Sequence, residues 1–318
     1  MRLLEIGEFS PLLACPRCRS PLAQSEGSFS CTTPSCPLSE RPFWSIDNRP
    51  VLVDFENSIL DENRFLGTHG ASPVEGRDAS LAKRVTKRVL FPPSPVTKAN
   101  GARFIRLLKK AEDNPTVLVV GGGEVGSNVD ELYEDLLINL IGFDIYCSTL
   151  TQFVADGHQI PLRGGSVDGV LVQAVLEHVL DPWRVVAEIH RVLKDDGLVY
   201  AETPFMQQVH EGPYDFTRFT ESGHRYLFRK FELIDSGVVG GTGYQVSWTV
   251  DHVGRSLFQS IKAGKVLKIL LFWVRLLDRV TPEPFAVDNA SGVFFLGKKS
   301  DKEVSPREMV AHYKGAQH

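Results

Sequence analysis

The stretch VLVVGGGEVG, residues 117 to 126, decides the fold. Four apolar residues, Val117 to Val120, run directly into Gly121, Gly122 and Gly123. An uninterrupted apolar run of this kind reads as a buried parallel strand, and the glycines after it allow a tight turn with close backbone approach to a ligand. A strand and turn of this type open the α/β sheets that hold nucleotide-bearing cofactors. The turn alone does not choose among cofactors, since nicotinamide, flavin and S-adenosylmethionine sites all use it.

Downstream residues narrow the choice. SNVDELYED reads as a short helix, and LINLIGFDIY as an apolar strand ending at Asp144. That acid lies about twenty residues past the glycine turn, where a carboxylate can accept hydrogen bonds from a ribose diol. TQFVADGHQIPL is a third short strand followed by Asp156, Gly157 and His158, and VDGVLVQAVLEHV is a fourth, with Val170, Leu171 and Val172 inside it. Acids at two successive strand ends suit an adenosine-bearing cofactor. In DPWRVVAEIHRVLKDDG, Asp181 caps a helix, Pro182 takes its first position, and Val185, Val186, Ile189, Val192 and Leu193 make one apolar face up to a stop at Gly197. LVYAETPF follows as a fifth strand.

The order of these motifs resembles the class I S-adenosylmethionine-dependent methyltransferases, type 11 group, over about residues 116 to 299. VADGH, LEHV and RVLKDDG in this sequence are its most telling part. The resemblance implies an α/β, Rossmann-like seven-stranded sheet with an antiparallel final hairpin, here FELIDSGVV and GVFFLGKK. It implies that Gly121 and Gly123 pass under the methionine part of the cofactor; Glu124 joins them there only if the turn is rearranged. Asp144 would hold the ribose, Asp156 and Gly157 contact the adenine, and Gln173 line the pocket. The chain departs from the family at two places: Val119 stands where many members carry an acid, and Val125 where a third glycine is expected.

Methyl transfer from a sulfonium is a direct displacement, so holding the acceptor in line within a dry pocket supplies most of the acceleration. A base matters when the acceptor is protonated. QQVHEGPYDFTRFT, after the fifth strand, carries the candidates His210, Glu211, Tyr214, Asp215 and Arg218 at the carboxyl edge of the sheet. His210 is the choice for base or acceptor orienter, because its ordinary pKa lies near neutrality. Arg218 is the candidate for an anionic acceptor, while the resemblance implies a packing and pocket-wall role for Glu177 and His178.

KAGKVLKILLFWVRLLDRV, within a helical insertion at about 250–285, is strongly apolar yet interrupted by Lys268 and Arg275, too short and charged for a membrane span. Lys265, Lys268, Arg275 and Arg279 can share one side of a helix over 264–279. Such a helix would suit a membrane surface and a lipid-linked acceptor, and a homodimer contact or substrate lid explains the same residues. Residues 300–318 read as a flexible tail.

Four of the five cysteines crowd into the start of the chain. Cys15 and Cys18 form one knuckle and Cys31 and Cys36 a second, with twelve residues between the two. Four thiolates in a tetrahedron suit a structural Zn²⁺, whose binding would supply folding free energy to a segment too short for a large core. RPFWSIDNRPVLVDF then reads as a strand, a turn at Asp47 and Asn48, and a strand at Val51 to Val53. Residues 11–55 resemble the zinc-ribbon proteins that bind and activate tRNA and release-factor methyltransferases, which implies a docking or stabilising module over 1–55. Cys147 stands apart and reads as a small buried residue.

Residues 56–115 form a linker and basic helical connector. SLAKRVTKRVL reads as a short helix stopped by FPPSP, and a second helix covers about Lys98 to Ala111. From Arg77 to Lys110 there are ten Lys and Arg residues against one Asp. Such a stretch can meet RNA or lipid headgroups, which keeps open a non-catalytic adaptor or nucleic-acid-binding protein, and a nicotinamide oxidoreductase is a third reading. The net charge of -4 gives no global attraction to nucleic acid. The amino terminus lacks the apolar core of a secretory signal, so the expected location is cytoplasmic, with membrane association open through the insertion.

Overall fold

The computed structural model describes residues 1–25, 27–72 and 94–317. The segment SLAKRVTKRVL lies outside the described residues. At the centre is a seven-stranded sheet. Its strands in chain order are β1 (Thr116–Val120), β2 (Asn139–Asp144), β3 (Phe153–Val154), β4 (Val167–Gln173), β5 (Leu193–Pro204), β6 (Phe231–Gly240) and β7 (Gly292–Lys299). They lie in the order 6-7-5-4-1-2-3. β7 is antiparallel to both neighbours, and the others run parallel. Because β1 sits between β2 and β4, connections leave it in opposite directions and open a crevice at its carboxyl end.

Successive β1 side chains enter different cores, as the pleat requires. Val117 and Val119 pack with Phe104 and Leu108 of α1 (Pro95–Ala111). Leu118 and Val120 join Phe143, Phe153 and Val170 on the other face. Ser94 caps α1 through Val96 N–H, so the last proline of FPPSP begins a helix.

No helix links β2 to β3 or β3 to β4 beyond a short 3₁₀ turn at Gly157–Gln159. The amino-terminal module covers that face instead. Its Phe9, Leu13, Phe29 and Phe43 belong to the same core as Phe143 and Phe153. Val51 makes a parallel bridge to Val154, and Leu52 N–H donates to the Val154 carbonyl at 2.9 Å. The strand expected at Val51 to Val53 therefore protects the sheet edge, while the local hairpin pairs Ser45–Ile46 with Arg49–Pro50 around left-handed Asp47 and Asn48.

Three further differences concern α2, the insertion and the chain's last residues. Helix α2 (Pro182–Val192), capped by Asp181, ends before Leu193, which bridges Val167. Gly197 therefore lies in the register shift between Leu193 and Leu198 rather than at a helix end. The insertion between β6 and β7 is not one helix over 264–279. It comprises α3 (Thr242–Phe258), α4 (Ile261–Leu270), a 3₁₀ turn at Phe272–Arg279 and α5 (Glu283–Asp288). Finally, the expected flexible tail carries a helix at Pro306–Ala311 with a Ser305/Glu308 capping box. His312 meets buried Glu221 at 2.9 Å, and Lys314 donates to Ser236, anchoring this segment to the sheet.

Candidate cofactor and acceptor site

The glycine turn closes the carboxyl end of β1. Gly121 has φ +70°, and a Cβ there would lie 2.3 Å from the Val175 side chain, so no other residue fits without movement. Asp144 ends β2 and grips the same turn: its Oδ2 accepts from Gly123 N–H at 3.0 Å and its Oδ1 from Ile145 N–H at 2.7 Å. Val125 stands where a third glycine is expected, and a glycine follows it at position 126. A Cβ at Gly126 would come within 1.9 Å of Gln173 Oε1, whereas Val125 is exposed and tolerates its side chain. Val119 points into the α1-side core, away from the crevice.

Around the turn lies an open cleft. Gly121, Asp144, Asp156 and Gly157 line it, together with apolar Val120, Phe143, Ile145, Ala155 and Val175. A mostly apolar lining with a few polar groups suits a nucleoside-bearing ligand. Gly123, Glu124 and Gln173 do not line it. Glu124 is exposed, and the Gln173 amide donates to Ser127 O at 3.1 Å and Glu202 at 2.6 Å, supporting the turn from behind.

Asp156 is nearly inaccessible. Its Oδ1 accepts from His158 N–H at 2.9 Å and faces His158 Nδ1 at 2.6 Å, while its Oδ2 accepts from Ser58 Oγ at 2.6 Å. Burial alone raises its pKa, but these hydrogen bonds override burial and hold the carboxyl below its ordinary value. Ser58, with Ile59 and Ser72 on the cleft wall, comes from the connector. The sequence offered no signal for this cover, because none of the three belongs to a motif.

Residues 118–201 match the family model described as a methyltransferase domain. The match spans β1 to β5, including the turn and both strand-end acids. No curated protein matches the chain. Similar solved structures include a Galdieria sulphuraria protein described as a sarcosine dimethylglycine methyltransferase, with 15% identity, 65% of this chain and 86% of that chain covered, and a TM-score of 0.44. A SAM-dependent methyltransferase from Archaeoglobus fulgidus has 16% identity, 68% and 99% coverage and a TM-score of 0.43. A Haemonchus contortus phosphoethanolamine N-methyltransferase 2, in complex with phosphomonomethylethanolamine and S-adenosylhomocysteine, has 16% identity, 71% and 59% coverage and a TM-score of 0.42. The sheet order stands on the strand pairing itself rather than on these partial overlaps.

Beyond the segment that matches the family model, the loop after β5 folds over the cleft. Glu211 and Tyr214 reach its wall, as does His178. Asp215 is the loop's hub. Burial would raise its pKa, but the Arg218 guanidinium, aided by the His210 amide and ring, holds it at about 2. Its Oδ2 accepts from Arg218 at 2.7 Å and from His210 N–H at 2.9 Å. Arg218 also donates to the carbonyls of Gln207, Gln208 and Thr217. The expected role for Arg218 as an acceptor clamp gives way to a positioning one, because its donors are committed within the loop. The His210 ring sits edge-on to His178, with centroids 5.0 Å apart, and 5.8 Å from Trp248 of α3.

Glu177 lies behind this loop with no exposed surface, and neither carboxylate oxygen has a hydrogen-bond partner among the described residues. Burial pushes its pKa from 4.5 up to about 8. Between those values the native state holds a proton that the unfolded chain has released, so this group makes stability fall as pH rises from 4.5 through 8. Glu177→Gln, a neutral isostere, is expected to match the parent near pH 4.5 and to exceed its stability by a few kcal/mol at pH 8, since each pKa unit is worth about 1.4 kcal/mol. Thermal melting of both proteins across that range checks the divergence.

The cysteine knuckles converge. Cys15 Sγ lies 3.8 Å from Cys36 Sγ and Cys18 Sγ 3.4 Å from Cys31 Sγ, with all four within 4.8 Å of one another. A tetrahedral zinc with Zn–S of about 2.3 Å needs S···S edges of about 3.8 Å, so the donor set fits that ion. Cys147 is half-buried against the Val51, Val53 and Phe65 cluster, and burial raises its pKa. That environment suits packing rather than nucleophilic attack.

Proposed function

We propose that the protein is an S-adenosylmethionine-dependent methyltransferase whose amino-terminal zinc ribbon is a built-in stabiliser of the donor site. The observation that carries this reading is the cleft at the β1 switch point, with the Gly121 turn and Asp144 on one wall and Asp156 and Gly157 on another, inside the segment that matches a methyltransferase domain. Asp144, which accepts from Gly123 and Ile145, is the carboxylate that would accept from the ribose hydroxyls. The apolar lining receives the adenine, with Asp156 fixing the local backbone through His158. The donor supplies an electrophilic methyl group when bound.

On the acceptor side, His210 takes a proton from, or orients, the acceptor. Asp215 holds the His210 backbone, Arg218 holds Asp215, and Tyr214 supplies a polar wall. The zinc reading is supported by the convergence of four thiols and by the shared core that ties Cys15, Cys31 and Cys36 to Phe143 and Phe153.

Calorimetric titration of the zinc-loaded full chain tests the reading. S-adenosylmethionine and S-adenosylhomocysteine are expected to bind at one site, and NAD is expected not to. Binding of NAD alone would return the cleft to an oxidoreductase. Binding of none of the three would remove the enzyme reading.

A further inference from the structure

The insertion is built inside out. Helix α3 buries Gly243, Ser247, Asp251 and Gly254, and α4 buries only Gly264. Many of the large apolar side chains of these helices and the following 3₁₀ turn nevertheless face outward, Leu257 72% exposed, Leu270 64%, Phe272 65% and Trp273 53%, while Val274 is buried. An ordinary surface helix does the reverse, and a contiguous apolar face of this kind marks a contact surface. No helix among the described residues is long and apolar enough to cross a membrane.

Charge selects the occupant. Between Val253 and Phe285 the chain carries Arg255, Lys262, Lys265, Lys268, Arg275 and Arg279 against only Asp278 and Glu283. Lys262, Lys265 and Arg279 are exposed beside the apolar side chains. Asp278, by contrast, is turned inward, where it accepts from Gly243 N–H at 2.7 Å. Apolar residues interleaved with cations fit the boundary between acyl chains and anionic headgroups, where the first are buried and the second neutralised. A second copy of this face would bring like charges together.

The surface is continuous with the acceptor loop. Lys268 Nζ of α4 lies 5.0 Å from the centre of the Trp248 ring, and that ring lies beside His210. We infer that the insertion seats the protein on an anionic lipid surface, with the acceptor side of the cleft turned toward an acceptor held in that surface. Docking is independent of the methyl-transfer reading. Only the placement of the acceptor rests on it.

The test is co-sedimentation of the zinc-loaded full chain with phosphatidylglycerol/phosphatidylcholine vesicles and with phosphatidylcholine vesicles alone. Binding is expected on the anionic vesicles and to weaken with salt. Phe272→Glu combined with Trp273→Glu, and separately Lys262→Glu combined with Lys265→Glu, are expected to lower partitioning about tenfold or more. All four side chains are exposed, so melting temperature and S-adenosylhomocysteine binding should hold, and the latter separates failure of docking from failure of the methyl-transfer reading. No partitioning, equal partitioning onto neutral vesicles, or a dimer that the Phe272/Trp273 pair of substitutions dissociates would overturn the inference.

Discussion

Asp144→Ala is expected to lower affinity for S-adenosylhomocysteine about a hundredfold or more, because the carboxylate does two jobs at once. It accepts from Gly123 and Ile145, fixing the glycine turn against β2, and it is the carboxylate proposed to meet the ribose. Removing it leaves two backbone donors to find other partners and takes away the charge-assisted bonds to the ligand. Hydrogen bonds to charged groups contribute about 1.5–3 kcal/mol each, so losing two accounts for a change of that size. Asp156→Asn is expected to be milder, since Asp156 spends its oxygens on His158 and Ser58. Calorimetry on the parent and both variants, with melting curves to confirm folding, measures the difference. Equal affinity in Asp144→Ala would remove Asp144 from the site.

Loss of the amino-terminal metal is expected to act at a distance. Chelation, or Cys31→Ser, should cost more than about 5 kcal/mol of stability, because binding energy at a structural zinc is folding energy. It should also weaken donor binding, and the route is visible in the structure. Arg17, between two of the cysteines, donates to buried Asp54 at 2.5 and 2.6 Å and to Glu56 at 2.8 Å. A few residues later the same strand of chain supplies Ser58 to Asp156 and Ile59 to the cleft. Arg19 meets Glu188 of α2 at 2.9 Å, tying the knuckle directly to the helix between β4 and β5. Metal analysis, melting and S-adenosylhomocysteine calorimetry on one sample measure all three effects, with Cys147→Ser as a control that leaves metal content and donor affinity unchanged. A metal-free protein that keeps its donor affinity would make the module a separate docking unit.

These two expectations draw on different kinds of information. Asp144 was legible because the apolar strand, the glycine turn and the acid about twenty residues on are local patterns, set by backbone sterics and by the length of one strand–helix–strand unit. The same locality made α2 legible through Asp181, Pro182 and its apolar face, and the cysteine knuckles through their spacing. Locality also limited the reading: Gly197 looks like a helix terminator, but pairing of Leu193 with Val167 ends α2 earlier. Residues 300–318 look like a free tail, yet His312 and Lys314 find partners some eighty to ninety positions away.

The sequence by itself determined the parallel sheet, the glycine turn with its strand-end acids and the four-thiol cluster, since each is written in neighbouring residues. Only the tertiary structure decided that Val125 is exposed, that Arg218 serves its own loop, and that Ser58 holds Asp156 while Ile59 lines the cleft. It also decided that the insertion turns its apolar side outward. The physical reason is common to all four: each depends on which distant group lies across a contact, and contact free energy is set by burial and partner geometry that periodicity does not encode.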